Sequence, residues 1–516
     1  MMNQSQPNPS LPEAISISET IPNGIGVGTL NGRDLEATKP TAGSTDEHEE
    51  STPPDPNLVT WNGPRDPENP KNWPNKTKWR YTVAVSIFTF ISPVSSAMIA
   101  PALPRLGADL RMHNDVEVEL ALSIFVLAYA VGPLFFGPAS ELYGRVRPLQ
   151  LSNLWYLVWN LGCGFARSPA ELFVFRFLAG IGGSAPLALG GGAISDIWDV
   201  EERGKAMGVY TLAPILGPVV GPIAGGFIAE YTTWRWVFWS SSLAAVAIQM
   251  VGLVWLRESH PPTLLTRKRD RLAQETGNDK LHTGGKVESL FGGALLRPAR
   301  MLTTQPIIMV IALYMAYLFG TTYLILATFP VIWTEVYRES QGIGGLNYIS
   351  IAVGSFGGIL SNFFLIDRIY RNLKQKNGGV GRPEFRMPTM FIGSIMITIG
   401  LFWYGWSVQG RVHWIMPNIG IAIFSAGTIG CLQGMQTYTV DSYTTYAASA
   451  LAACALLRSL AGFGFPLFAP YLYKDLGYGW GTSVLAFISI GVGFPAPFMF
   501  WLFGAKLRAA SKYAAG

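Results

Sequence analysis

Two arginines, Arg176 and Arg458, stand inside long apolar stretches of the chain. A guanidinium in hydrocarbon is costly and marks a functional position by default. It can hold an anion or order groups along an ion path, but it effectively never releases a proton. Carboxylates able to exchange protons occur only toward the edges of the apolar stretches. Glu117, Glu119, Glu230 and Glu335 lie at one set of edges, and Asp196, Asp367 and Asp441 at the other. Without deep acids a polycation would be poorly held, so neutral or anionic organic compounds fit better. Enzyme chemistry is not expected. The five histidines (48, 113, 260, 282 and 413) are scattered through tails and loops, with no spacing that builds a triad or a metal cluster. Cys163, Cys431 and Cys454 fall within apolar segments and imply neither disulfides nor metal ligation. No Gly-x-x-x-x-Gly-Lys-Ser/Thr loop is present, which excludes an ATP-driven pump built from this chain alone.

The element best suited to moving such residues is Leu212-Ala-Pro-Ile-Leu-Gly-Pro-Val-Val-Gly-Pro-Ile-Ala-Gly-Gly226. Pro214, Pro218 and Pro222 recur in steps of four, and so do Gly217, Gly221 and Gly225. A step of four stacks residues on one helical face. One side is therefore stripped to backbone, while the neighbouring side lacks amide donors. In water each interior proline would cost roughly 3 kcal/mol. In a membrane, neighbouring helices re-satisfy the freed carbonyls and the glycines permit close contact. The pattern predicts a bendable helix.

Composition sets the scaffold. The 516 residues are 49% apolar and only 14% charged, against about 25% charged in soluble proteins. This is the balance of an all-α, polytopic membrane protein. The net charge of +5 is spread between spans and is no nucleic-acid signature. Residues 1–80 are rich in Pro, Ser, Thr, Asn and Glu, with an acidic run at 46–50, and read as a disordered tail. Apolar spans are expected near 81–103, 119–137, 149–167, 171–195, 206–229 and 236–256. After a polar central loop at 257–304, six more fall near 306–334, 346–366, 387–406, 413–433, 443–472 and 480–504. The bundles are thus 81–256 and 305–504, and a tail follows at 505–516. With the amino terminus inside, residues 65–80, the inner loops and the C-terminal tail carry 27 Lys and Arg and the outer loops seven. That asymmetry places both termini in the cytosol. The halves repeat with a shift of about 224, and Glu141 and Asp367, each after the second helix of its half, are 226 apart. Twelve transmembrane helices in two pseudo-twofold six-helix bundles imply a transporter with its site between the halves.

Three motifs carry a resemblance to a known family. Gly137-Pro-Ala-Ser-Glu-Leu-Tyr-Gly-Arg-Val-Arg-Pro148 places Glu141, Arg145 and Arg147 around Gly144, although Glu141 replaces the usual Asp and Leu142 a common Arg. Arg176-Phe-Leu-Ala-Gly-Ile-Gly-Gly183 fits an Arg-x-x-x-Gly-x-Gly pattern, and Gly217–Gly226 fits a motif of exporters that importers generally lack. The chain resembles the major facilitator superfamily, and within it the fungal twelve-helix drug:proton antiporters of multidrug and secondary-metabolite efflux type. Trp234-Arg-Trp-Val-Phe-Trp239 and Asp441–Ser449 are similar to the same pumps.

The resemblance implies a proton-coupled efflux pump of the fungal plasma membrane. It would act as a monomer, without cofactor or metal, on small apolar or anionic drugs, toxins or metabolites. Coupling and gating would then draw on Arg176, Glu141, Arg145, Arg147, Asp196, Asp367, Arg368, Asp441 and Arg458. The first, fourth, seventh and tenth helices would line the cavity, offering Ser92, Ser95, Ser96, Tyr314, Tyr317, Thr321, Tyr323, Asn418 and Ser425. Which carboxylate carries the proton stays open among Asp196, Asp441 and Glu119. Alternatives are a nutrient importer of the same superfamily and a dedicated organic-acid or polyamine exporter.

Overall fold

A computed structural model describes residues 55, 57–199, 201–283, 290–443, 446–509 and 511, leaving aside the side chains of 290–296, 363 and 367. The acidic run at 46–50 and the end of the C-terminal tail lie outside the described residues. Helices account for nearly all of the rest. In chain order they are α1 (Asn75–Ala97), α2 (Leu103–Asp109), α3 (Asp115–Tyr143), α4 (Val146–Cys163), α5 (Pro169–Ile197), α6 (Arg203–Tyr231) and α7 (Arg235–Trp255). The central loop contributes α8 (Pro261–Thr276) and α9 (Leu290–Thr304). The second half holds α10 (Pro306–Val331), α11 (Gln341–Leu346), α12 (Ile349–Lys376), α13 (Met387–Gln409), α14 (Ile415–Ser442), α15 (Ala447–Ile488) and α16 (Pro495–Ala509).

By length and hydropathy alone, ten runs qualify as membrane spans among the described residues. Two physical points restore twelve. Helix α4 is 18 residues long but carries Arg147, Gln150, Asn153 and Asn160, which lower its hydropathy. The polar members work inside the bundle: Asn160 donates to the Ser241 and Ser242 hydroxyls at 2.9 Å, and Asn153 to Gln249 Oε1 at 2.8 Å. The last run, Ala447–Ala509, is 63 residues. At 1.5 Å per residue it would extend roughly 95 Å against a core of about 30 Å. It turns back at Gly477, whose φ of 71° and ψ of 172° no helix accommodates.

Local chemistry fixes several ends. Asn114 caps α3 by accepting from the Glu117 amide at 2.9 Å. Ser168 caps α5 by accepting from the Glu171 amide, while the Glu171 carboxylate takes the amide of Arg167, the residue before the cap. Arg111 and Arg338, 227 positions apart in the loops after the first and seventh spans, both adopt positive φ. The repeat seen in sequence is thus also a repeat of an uncommon backbone conformation. The tenth span runs to Ser442, past the expected 433, because Asp441 is held at its end by Arg386. Large apolar side chains such as Leu151, Val158, Leu243, Val254, Phe364 and Leu502 face outward on the spans, as lipid contact requires.

The tail boundary at residue 80 is corrected. Residues 57–74 are built into the fold, and α1 begins at Asn75. Asp66 accepts the Asn62 and Glu68 amides at 2.7 and 2.9 Å, and Lys268 of α8 reaches Asp66 at 3.3 Å, Asn62 at 2.8 Å and the Thr60 carbonyl at 2.9 Å. Both charges are buried in this contact. Val59 also donates to the His282 carbonyl at 2.8 Å. These hydrogen bonds to α8 and within the segment order residues that composition alone reads as a polar tail.

The two Asp66 amide bonds, with Lys268 adding to them, hold its carboxyl below the usual carboxylate range. A depressed folded pKa gives stability that is complete above the unfolded value, near 4, and is lost as pH falls through the folded one. Limited proteolysis should therefore leave residues 57–74 protected at neutral pH and open them below about pH 4. Lys268→Met should speed cleavage about tenfold at pH 7, since it strands a buried carboxylate.

Candidate functional site

Arg176 is the most enclosed charge among the described residues, at 0% exposure. It does not snorkel. Its Nε donates to the Ala121 carbonyl at 3.0 Å, Nη1 to Ser95 at 3.1 Å, and Nη2 to Ser96 and Leu122 at 3.3 and 3.4 Å. Phe125 and Phe238 close over it, with ring centroids 4.7 and 5.7 Å from Cζ. Ser95 and Ser96 lie in the last turn of α1, where helix carbonyls run out of intrahelical donors. A cation there meets the negative end of the helix dipole. Arg176 thus caps α1 from α5 while also gripping α3.

The glycines around it let α5 come this close. A Cβ on Gly180 would stand 2.6 Å from the Phe125 carbonyl oxygen, and one on Gly182 would stand 2.5 Å from that of Ser152 on α4. Gly183 has its contact with the Ser92 hydroxyl. The motif's arginine and glycines therefore act together to seat α5 in the corner formed by α1, α3 and α4.

Helix α6 meets α1 in the same backbone-to-backbone manner. A Cβ on Gly217 would lie 2.5 Å from Pro93 Cβ, and one on Gly221 would lie 2.5 Å from the Val94 carbonyl. Gly225 faces the carbonyl of Met98. Pro222 is buried and Pro214 and Pro218 half-buried on the adjoining faces. The far end of α6 touches the second half: Gly226 abuts the Gln341 carbonyl, and Glu230 accepts from the Ser340 hydroxyl at 2.8 Å and the Gly342 amide at 2.6 Å. One helix is thereby joined to α1 along its length and to α11 at its tip.

Between the halves lies a group of hydroxyls and rings. Ser96 and Tyr323 share a hydrogen bond of 3.2 Å across the two halves, and Ser92 bonds to Tyr129 at 2.7 Å. Arg458 sits beside them, its Cζ 4.9 Å from the Phe319 ring. Other expected cavity residues make their side-chain hydrogen bonds within one half or are simply buried. Ser95 turns into the first half to Tyr156 at 2.6 Å, Tyr314 bonds to Ser394 at 2.7 Å, and Tyr317 donates to the Leu485 carbonyl at 2.7 Å. Asn418 donates to Asn347 at 2.6 Å, and Ser425 and Thr321 are buried. The Thr321 hydroxyl has no hydrogen-bond partner among the described residues. Tyr129 carries no distinguishing signal in the sequence, where it reads as an ordinary aromatic on an apolar helix, whereas Phe319 belongs to the aromatic run of the seventh span.

At the end of the bundle that carries the basic loops, the acid of the first motif is not where it was expected. Glu141 and Arg147 are exposed. Arg145 is instead fixed by Asp196 at 2.9 Å and the Ser140 hydroxyl at 2.9 Å, while Glu258 accepts the Arg145 amide at 2.8 Å. Gly144, with φ of 87°, faces the Glu258 carboxylate directly. The second half repeats the pair: Arg386, at the start of α13, holds Asp441 at 2.6 Å, as Arg145, at the start of α4, holds Asp196. Arg508 and Glu384 pair beside it. The basic partner in this half is thus Arg386. Arg368 is exposed, and the Asp367 side chain lies outside the described residues. Glu258 follows the sixth span in Arg257-Glu-Ser-His260, a short charged step whose spacing offered no signal. Among the described residues no cluster of three or more His, Cys, Asp or Glu is placed to hold a metal.

The family model for the major facilitator superfamily matches residues 85–466. The chain belongs to this superfamily. Within it, a Penicillium aethiopicum protein named efflux pump vrtL is 68% identical over 487 residues, covering 94% of this chain and 96% of that protein. An uncharacterized transporter, C1529.01, of Schizosaccharomyces pombe is 44% identical over 89% of this chain and 94% of its own. Among solved structures, the superfamily's xylose transporter XylE from E. coli, in a partially occluded inward-open conformation, aligns with a TM-score of 0.62. It does so at 16% identity, covering 83% of this chain and 98% of that one, a likeness of fold. This superfamily member is a multi-pass membrane transporter, and two six-helix bundles are its fold.

A side chain at Gly221 would meet backbone atoms of α1, which cannot rotate away. Gly221→Leu is expected to lower transport at least about tenfold, with the protein still reaching the membrane, because such overpacking costs about 1–3 kcal/mol in the closely packed state. Gly204→Ala, where nothing lies within 4 Å, should transport as the parent does. Uptake or efflux rates normalised to membrane protein measure both.

Proposed function

We propose that this transporter exports small apolar or anionic organic compounds from the cytosol in exchange for protons, at the fungal plasma membrane and as a monomer. The observation that carries the reading is the near full-length, 68% identity to a protein named an efflux pump. A Floropilus chiversii protein named efflux pump radE, 39% identical over 89% of this chain, points the same way. The glycine face of α6 against α1 supports it physically. Exchange between two access states requires helices that slide on a smooth backbone contact, and Gly217, Gly221 and Gly225 supply one.

Orientation follows from charge. The loops with Arg145, Arg203 and Arg386, together with α8, would face the cytosol, as would both termini. The ion pairs Arg145–Asp196 and Arg386–Asp441 would then brace the cytosolic mouth, one pair within each half. Their carboxylates are occupied by guanidinium groups. Glu119, near the opposite end of α3, differs: it is 7% exposed and its Oε2 has no hydrogen-bond partner among the described residues. It lies three residues before Leu122, one of the carbonyls held by Arg176. We assign proton carriage to Glu119, on the turn of α3 that Arg176, which never titrates, holds by its carbonyls.

The test is accumulation of a fluorescent aromatic compound in yeast stripped of its own pumps. Expression should lower the accumulated amount several-fold, and a protonophore should restore it. Glu119→Gln should abolish export against a gradient while leaving binding within about threefold, since the carboxamide keeps the shape but cannot carry the proton. Higher accumulation on expression would make the protein an importer, and insensitivity to the protonophore would remove the proton from the mechanism.

A further inference from the structure

Arg176 and Arg458 are chemically alike and structurally opposite. Arg176 directs its donors at four carbonyls. Arg458, about three turns into α15, makes no hydrogen bond and no ion pair among the described residues. Its Nε is enclosed and without a partner. Among the described residues its charge lies against the face of Phe319, at 4.9 Å. The side chain is nevertheless partly accessible, so it borders open space instead of being sealed in packing. A guanidinium with an enclosed, unpartnered Nε and no hydrogen bond from its other donors is a costly arrangement that an anion relieves, because hydrogen bonds to charged groups are the strong ones.

The surroundings define which anion. Phe319 lies under the guanidinium, and one turn further along α15 a Cβ on Gly462 would stand 3.0 Å from both Phe319 and Val126. Arg458 is therefore at the seam where α15 meets α10 and α3. The Tyr323 hydroxyl is close enough to interact electrostatically with both Arg458 and Arg176. It bonds to Ser96 in the other half at 3.2 Å, so a donor already spans the seam. A cation, phenolic and seryl hydroxyls and flat apolar rings at one place match an aromatic compound that bears a carboxylate or phenolate. No carboxylate pairs with Arg458 among the described residues to compete for it.

We propose that Arg458 is the anion-binding residue of the transport path, holding the carboxylate or phenolate of an aromatic substrate between the Phe319 ring and the Tyr323 and Ser96 hydroxyls. The proposal takes its transport path from the export reading above, but binding tests it separately from direction. Full-length protein in nanodiscs of neutral lipid is titrated with 3-hydroxy-2-naphthoate and with its methyl ester, and binding is read by tryptophan fluorescence. The parent should bind the acid at least about tenfold more tightly than the ester. Arg458→Gln should weaken the acid by about 10- to 100-fold and leave the ester within about threefold, the range expected for one charge-assisted contact. Arg458→Lys, which keeps the charge and loses the planar fork, should fall between them and serves where the Gln variant does not assemble. A parent with no preference for the acid overturns the proposal. So does equal loss of acid and ester in the variants, or full retention of acid binding by Arg458→Gln. In cells, higher accumulation of the acid on expression, with the binding selectivity intact, would remove the export reading and leave the subsite standing.

Discussion

A guanidinium group satisfied by backbone oxygens organises the first half of this transporter. Arg176 takes carbonyls from the end of α1 and from the second turn of α3, so three helices share one charge. Nothing anionic is needed for this. The C-terminal ends of helices carry partial negative charge, and stopping α1 at Ala97 presents such an end to Arg176. That end and the cation depend on each other: α1 can stop at Ala97 because Arg176 covers its carbonyls, and Arg176 can stay buried because α1 stops there. The close seating of α5 and α6 against the same helix follows, since each approaches over glycines.

The two ends of the bundle are held by different means. At the basic end, a matched arginine–aspartate pair in each half ties the start of the third span to the close of the fourth. At the other end, Glu230 of α6 binds the start of α11 in the opposite half. The first set of contacts stays within halves and keeps each bundle rigid. The second crosses between them. A transporter that alternates access has to break contacts of the second kind and keep those of the first.

Much of this was legible in the amino-acid sequence, and for a physical reason. Spans, the twofold repeat, the arginine in the fourth span and the Gly–Pro face of the fifth all follow from the bilayer's refusal of unpaired polar groups and from fixed helical spacing. What escaped was everything set by which residue a charge finds in three dimensions. Glu141 fits the motif by position but is exposed, and Asp196, fifty-five residues further on, takes Arg145. Glu258 has no motif at all, yet it caps the turn. The aromatic-rich seventh span looked like a continuous cavity wall, whereas Tyr314 and Tyr317 turn inward to bond within their own bundle. Periodicity shows that a residue is on a helix; it does not show which neighbour its hydroxyl will reach.

The buried clasp between Lys268 and Asp66 has a consequence for how far the halves can separate. It fastens the linker's first helix, α8, to the stretch that precedes α1, and Lys71 of that stretch lies 3.6 Å from Asp199 at the foot of α5. The linker is therefore shorter in effect than its sequence. Its first portion travels with the amino-terminal bundle as ballast, and any slack for a rocking motion must come from the chain downstream of α8.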